Sequence, residues 1–138
     1  MKIPGLLLAV ACVSALAADL PRSPAPQGVE LYIISPQDGA IVASPVTVRF
    51  GLRGMGVAPA GVAMENTGHH HLLIDTGPPA FNMPIPADAN HVHFGKGQTE
   101  TQLTLAPGSH TLQLLLADHL HIPHDPPVLS RRITITVK

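Results

Sequence analysis

Short runs of alternating apolar and polar residues follow one another along most of the chain, and Pro or Gly separates them. In one run Val46, Val48 and Phe50 alternate with polar residues, and in another Ile133 and Ile135 do the same. Successive side chains of a strand point to opposite faces, so this pattern is typical of half-buried antiparallel strands. Prolines interrupt nearly every stretch in which a helical stripe could form. The pattern therefore predicts strands and no helices.

Seven strands are predicted between the turn signals. Their ranges are 29–34, 46–52, 69–75, 91–94, 99–105, 110–117 and 131–137. Strands of this length and spacing favour an all-β fold, an antiparallel β-sandwich of immunoglobulin-like or cupredoxin-like kind. The turn from Pro36 to Gly39 and the later Pro107-Gly108 hairpin also resemble turns of bacterial immunoglobulin-like domains.

The N-terminus has the pattern of an export signal. Lys2 precedes an apolar run from Ile3 to Val13, and Ala15-Leu16-Ala17 has the small-x-small form of a cleavage site. We therefore expect residues 1–17 to be a signal peptide and the protein to be periplasmic or secreted. Lipid anchoring through Cys12 is the alternative, because Cys12 follows a small residue within the same segment.

The rest of the chain is expected to form one domain. Residues 18–28 read as a Pro-rich leader and 29–138 as a single β-sandwich domain. No later segment approaches the roughly 20 apolar residues of a membrane span, so no transmembrane segment is predicted. Loss of Cys12 with the signal would leave no cysteine, which excludes disulfides and thiolate metal sites from the mature domain.

Charge excludes one class of partner. The net charge is −1 and only 12 % of the residues are charged, without the basic stripe that a nucleic-acid partner requires. A nucleic-acid partner is therefore not expected.

Histidine is the residue type that points to chemistry. Six of the nine histidines form three pairs at spacing i, i+2, and these are His69, His71, His91, His93, His119 and His121. Residues two apart on a strand share a face and lie roughly 6.5 to 7 Å apart, so two imidazoles can converge on one ion. Weaker candidate ligands are His70, His124, Met64 and Met83, whereas His110 at a strand start is expected to be structural.

The orientation of these pairs is partly open. The consecutive Leu72, Leu73 and Ile74 allow two registers, one with His70 in the core and one with His69 and His71 there. In the last pair, alternation predicts that Leu120 and Ile122 face inward while the two histidines face the other way. Strand order is not readable from the sequence, so the convergence of the pairs stays an expectation.

Copper is the expected metal, with zinc as the alternative. Several imidazoles suit zinc, copper or nickel, and thioethers such as those of Met55, Met64 and Met83 are soft ligands for Cu(I). Copper also stands at the top of the divalent affinity series. Four carboxylates lie close enough in sequence to orient imidazoles, namely Glu65, Asp75, Asp118 and Asp125.

Two segments carry a family resemblance. Gly68-His69-His70-His71-Leu72-Leu73-Ile74-Asp75 and the run from Leu105 to His124 resemble a bacterial family, domain of unknown function 4399. The resemblance covers most of the mature chain and implies an exported β-domain distinguished by its histidine segments. It implies no established activity.

Two copper families are similar in part. His91-Val92-His93 resembles the His-Val-His element of copper-zinc superoxide dismutases, but the disulfide cysteines and the spacing of the zinc-loop histidines are absent. Periplasmic copper chaperones of the His/Met type are similar in size and ligand chemistry, with His-x-His standing where they have His-x-Met. Neither family's ligands can be carried over as a set.

Three functions remain open at this stage. The first is a periplasmic copper or zinc binding protein that acts as a buffer, carrier or sensor, with a metal ion and another periplasmic protein as partners. The second is a metal-dependent enzyme with a histidine-ligated open site, although no acid/base spacing stands out. The third is a structural or interaction module of the cell envelope that binds no metal.

Overall fold

The strand pattern predicted from the sequence is present. The computed structural model describes residues 19–138, and this range contains strands and turns but no helix, hence no helix that could cross a membrane. The predicted signal peptide and Cys12 lie outside the described residues. Nine strands are formed: β1 (Glu30–Ser35), β2 (Ile41–Val42), β3 (Val46–Arg53), β4 (Gly56–Val57), β5 (Thr67–Ile74), β6 (His91–His93), β7 (Glu100–Leu103), β8 (Gly108–Ala117) and β9 (Ile133–Val137).

The strands form two sheets in a sandwich-like arrangement. One sheet has the order β1-β3-β7, and the other has the order β2-β9-β8-β5-β4, with β6 also paired to β5. The seven predicted strands are all present and pair antiparallel. The two-residue strands β2 and β4 were not predicted, and they pair parallel with β9 and β5. The all-β fold class is confirmed.

The main core lies between the sheets. Val46, Val48 and Phe50 of β3 face inward, and Ile133 and Ile135 of β9 are buried with them, as their alternation predicted. Apolar burial of this kind is the main favourable term in folding. The spacing of two in the sequence therefore sets which face of each strand is buried.

Strand β5 is buried on both faces. Leu72 and Ile74 belong to the main core, whereas Leu73 packs with Leu115 and Ile85 in a smaller cluster on the other face of the sheet. A strand covered on both faces has a continuous apolar run instead of alternation, which explains why its register was ambiguous in the sequence. The register with His70 on the core face is the one adopted, since its ring lies 5.1 Å from that of Phe50.

Candidate metal centre

Four imidazole rings meet on the face of β5 that lies opposite the main core. They belong to His69, His71, His93 and His121, and all six distances between their ring centroids fall between 4.7 and 6.1 Å. One ring nitrogen from each of the first three lies within 4.8 Å of the others. A tetrahedral ion with Zn–N bonds of about 2.0–2.1 Å needs nitrogens about 3.3 Å apart, so the ring nitrogens would have to move closer together when an ion binds. These four residues are called the four-histidine cluster below.

Strand pairing positions three of the four rings of the cluster. His71 lies directly opposite His93 in the β5–β6 ladder, and His69 precedes His71 by two residues on the same face. Facing positions of neighbouring strands hold their Cβ atoms about 4.5 to 5.5 Å apart. The ladder thus places three imidazoles side by side.

Two glycines make room for this arrangement. A Cβ atom on Gly68 would lie 2.6 Å from the carbonyl oxygen of Ala117, so only Gly lets β5 approach β8 at this point. A Cβ atom on Gly95 would lie 2.3 Å from Cε1 of His93, so the His93 ring occupies the space over the Gly95 backbone. Gly68 directly precedes His69 and Gly95 follows His93 by two residues, but nothing in the sequence pattern alone marks either glycine as part of the site.

The fourth ring comes from a tight turn. After β8 ends, Asp118 Oδ1 accepts hydrogen bonds from the backbone N–H groups of Leu120 and Ile122, at 2.9 and 3.1 Å. The N–H of His121 donates to the Asp118 carbonyl at 2.9 Å, and His121 has a positive φ of 67°. Asp commonly caps such turns through its side chain. The predicted alternation is wrong here, because Ile122 is buried but Leu120 is 54 % exposed.

Burial favours the uncharged form of three rings of the cluster. The pKa of His71 is lowered to about 2 and that of His69 to about 4, first by burial and then by the neighbouring imidazoles. Burial also lowers the pKa of His93, and His121 adds to this effect. The neutral imidazole is the form that carries a lone pair for a metal ion. At neutral pH these three rings are therefore ready to coordinate without releasing protons.

The inner part of the cluster has ring nitrogens without protein partners. Both ring nitrogens of His69 and Nδ1 of His71 are fully buried and have no hydrogen bond to another protein group. A buried polar group without a partner costs about 1–3 kcal/mol. His93 and His121 close the cluster on its exposed side, since His93 is exposed and His121 is half-buried. Because a neutral imidazole offers a single lone pair, a metal ion entering from that side would give one nitrogen of each inner ring a partner.

One histidine of each remaining pair lies outside the cluster. His91 faces Leu73, two positions further along the ladder, and its Nδ1–H donates to Asp88 Oδ1 at 2.8 Å. His119 occupies the turn, where the two-residue periodicity of a strand does not apply, and it lines a cavity with Met64 and Glu65. Of the three histidine pairs, only the pair on β5 therefore has both of its members in the four-histidine cluster.

The weaker candidates also lie elsewhere. His70 is buried against Phe50 on the core side, and burial lowers its pKa to about 4. His124 is buried and its Nε2–H donates to the Thr67 carbonyl at 3.1 Å. Met64 and Met83 are exposed.

Two further placements bear on the ligand set. Met55 packs against the main core, which removes one of the three thioethers considered for Cu(I). His110 has both ring nitrogens 2.7 Å from acceptors, Asp75 Oδ2 and the Ala106 carbonyl, which agrees with its predicted structural role. Among the residues that the structure describes, the candidate metal ligands that lie together are therefore all imidazoles.

Comparison with known proteins gives one match. The sequence profile of a family described as "Domain of unknown function (DUF4399)" matches residues 48–138, which include β5, β6 and the turn with His121. Neither the curated proteins nor the solved structures gave a significant match.

Proposed function

Because the chain belongs to the DUF4399 family, whose description carries no activity, we propose its function from the four-histidine cluster: it binds a transition-metal ion. The observation that carries this proposal is the meeting of four imidazoles from three separate segments, two of them buried with unpartnered ring nitrogens. Leaving those nitrogens without partners would oppose folding, whereas a bound ion would give one nitrogen of each ring a partner.

Copper and zinc in the divalent state are the metals that fit this donor set best. Neutral imidazoles without thiolate or carboxylate suit both ions, and copper binds more tightly in the divalent series. The exposed and core-packed methionines give no geometric support for a Cu(I) thioether site. We therefore propose Cu(II) as the preferred ion and Zn(II) as the second.

The role we propose is that of a metal buffer or carrier outside the cytoplasm. The exported location rests on the apolar segment and small-x-small site of residues 1–17, which lie outside the described range. Two features of the cluster support exchange of the ion: its ligands converge without a sulfur donor, and His93 is exposed to an incoming partner. A sensor would use the same site.

A metal-dependent hydrolase is the second candidate. It is favoured by the closeness of His69, His71 and His93, because three histidines with an open fourth position are the usual ligands of catalytic zinc. In that case His121 would not bind the ion, and a water molecule would occupy the fourth position. Turnover of an ester or phosphoester substrate that depends on added Zn²⁺, and that is lost in His71→Ala, would favour this candidate over the carrier.

The proposal is tested by metal analysis of the untagged protein, followed by competitive titration with Cu²⁺ and Zn²⁺. We expect one ion per chain in the wild-type protein and weak binding in His69→Ala and His71→Ala variants that keep their β-type circular dichroism. His110→Gln is the control, because that ring is engaged with Asp75 away from the cluster. Binding that is unchanged in both cluster variants would refute the proposal.

A further inference from the structure

The fourth ligand differs from the other three in how it is held. His69, His71 and His93 are fixed by strand pairing, whereas His121 lies in a turn that follows β8. Its ring is 4.7 Å from that of His93 but 6.1 Å from that of His71, the longest of the six distances. The position of His121 therefore depends on whatever holds the turn.

Asp118 holds the turn through both carboxylate oxygens. Oδ1 accepts the N–H groups of Leu120 and Ile122, the residues on either side of His121. Oδ2 accepts a hydrogen bond from the Ser23 hydroxyl at 2.7 Å. Such bonds to a charged group are stronger than neutral ones, and Asp118 itself is buried. The turn is thus tied both to its own first residue and to the N-terminal segment.

The segment Arg22–Ala25 is bound along the same loop. Arg22 Nε donates to the Pro123 carbonyl at 3.1 Å, and its Nη2 donates to the carbonyl of His124. The Asp125 N–H donates to the Ser23 carbonyl, and the Ala25 N–H donates to the Asp125 carbonyl, at 2.9 and 3.0 Å. The residues that precede β1 therefore brace the loop that carries the fourth ring.

We propose that Asp118, braced by Ser23, is the positioning residue that brings His121 to the metal and so sets whether the ion has four histidine ligands or three. This inference rests on the proposed metal site. Without the Asp118 carboxylate, the N–H groups of Leu120 and Ile122 lose their acceptor. Only backbone hydrogen bonds, such as the one from the His121 N–H to the Asp118 carbonyl, then remain to hold His121 at its positive φ. The ion would then keep His69, His71 and His93 and take water in the fourth position.

A double-mutant cycle on the full mature chain tests this, with Co²⁺ as a spectroscopic probe and Zn²⁺ for affinity. The variants are Asp118→Ala, His121→Ala and the two together. We expect Asp118→Ala to lower Zn²⁺ affinity about 10- to 100-fold, as is usual for residues that orient ligands. We also expect its Co²⁺ absorption spectrum to differ from that of the wild-type protein and to match that of His121→Ala, in which water replaces the fourth imidazole.

The double variant separates positioning from general structure. If Asp118 acts through His121, Asp118→Ala causes no further loss of affinity once His121 is already Ala. Asp118→Asn is the conservative control, because its amide oxygen can still accept both N–H groups and its NH₂ can donate to Ser23. We expect it to bind Zn²⁺ within about threefold of the wild-type protein and to keep the wild-type Co²⁺ spectrum.

The possible failures are distinguishable. Additive losses in the double variant, or a wild-type Co²⁺ spectrum in Asp118→Ala, would overturn the positioning role while leaving the metal site standing. A wild-type protein that binds none of Cu²⁺, Co²⁺ and Zn²⁺ would overturn the metal site and this inference with it. If Asp118→Ala does not fold, Ser23→Ala takes its place in the cycle, with an expected loss of up to about tenfold and the same non-additivity with His121→Ala.

Discussion

His71 and His93 face each other across the β5–β6 ladder, with their ring centroids 5.1 Å apart. This direct opposition brings together two segments that are far apart in the sequence. His91, two residues before His93, faces Leu73 instead, and its ring Nδ1–H donates a hydrogen bond to Asp88. The two histidines of this three-residue strand thus have different surroundings. His91 can therefore serve as the matched control for substitutions of His93.

The first prediction uses that pair. His93→Ala is expected to lower Cu²⁺ and Zn²⁺ affinity by at least about 100-fold, because losing a direct ligand costs no less than losing a residue that orients one. His91→Ala is expected to stay within about threefold of the wild-type protein. Competition against a chelator of known affinity measures both. Equal losses in the two variants would mean that the ion is not bound by the four-histidine cluster.

The second prediction concerns the backbone beneath the His93 ring. A Cβ atom on Gly95 would lie 2.3 Å from Cε1 of His93 and 2.7 Å from its Nε2, so Gly95→Ala must turn the ring away. Because the obstructed atoms belong to a movable side chain, the fold is expected to survive. We expect metal affinity to fall about tenfold or more, by analogy with other changes that misplace a ligand.

Gly77→Ala is the control for this change. A Cβ atom there meets only the Arg132 guanidinium at an ordinary 3.7 Å, and the residue does not have a positive φ. Its metal affinity should match that of the wild-type protein. Unchanged binding in Gly95→Ala would show that the ring position in the structure is not the one that binds metal.

Much of the fold could be predicted from alternation alone. Strands with one buried face, such as β3 and β9, follow the spacing of two, and their inward residues are the predicted ones. β5 could be located but not oriented, because both of its faces are covered. The pairing of β4 and β6 with β5 was not predictable, since two- and three-residue strands carry too little pattern.

The candidate site was predictable in part for a related reason. The same-face rule for residues two apart holds for His69 and His71, which lie on a regular strand. It fails for His119 and His121, where the Asp118 side chain turns the backbone. The aspartate before the pair and Pro123 after it are signals of a turn, and they could have been weighed against the strand interpretation.

The third prediction concerns the glycine that precedes the three histidines. In Gly68→Ala the added Cβ would lie 2.6 Å from the Ala117 carbonyl oxygen and 2.8 Å from Cγ of Leu116. Backbone atoms of β8 cannot move aside without disturbing the β5–β8 ladder. We expect a loss of stability of about 1–3 kcal/mol, measured by urea unfolding of the metal-free protein. Gly56→Ala, which meets only Thr67 Cγ2 at 3.5 Å, should lose much less.

The fourth prediction is that the metal-free protein loses stability as the pH falls below about 6.5. Burial lowers the pKa of His71 to about 2 and those of His69 and His70 to about 4 in the folded state. Between these values and about 6.5 the unfolded chain binds protons that the folded chain does not, so acid favours unfolding. His110 acts in the opposite direction, because its hydrogen bond with Asp75 raises its pKa.

Five histidines have a lowered pKa and one has a raised pKa, which leaves a net loss of stability on acidification; the five are His69, His70, His71, His93 and His124. Each uncompensated proton contributes about 1.4 kcal/mol per pH unit, so the free energy of unfolding should fall by more than this per unit between pH 6 and pH 5. Urea unfolding of the metal-free protein at a series of pH values measures the slope. His70→Leu should reduce the slope of unfolding free energy against pH by up to the contribution of one proton, about 1.4 kcal/mol per pH unit. The four-histidine cluster should stay intact, because the His70 ring lies on the core side with Phe50. A slope near zero in the wild-type protein would mean that these histidines are accessible to protons in the folded state, contrary to their burial in the structure.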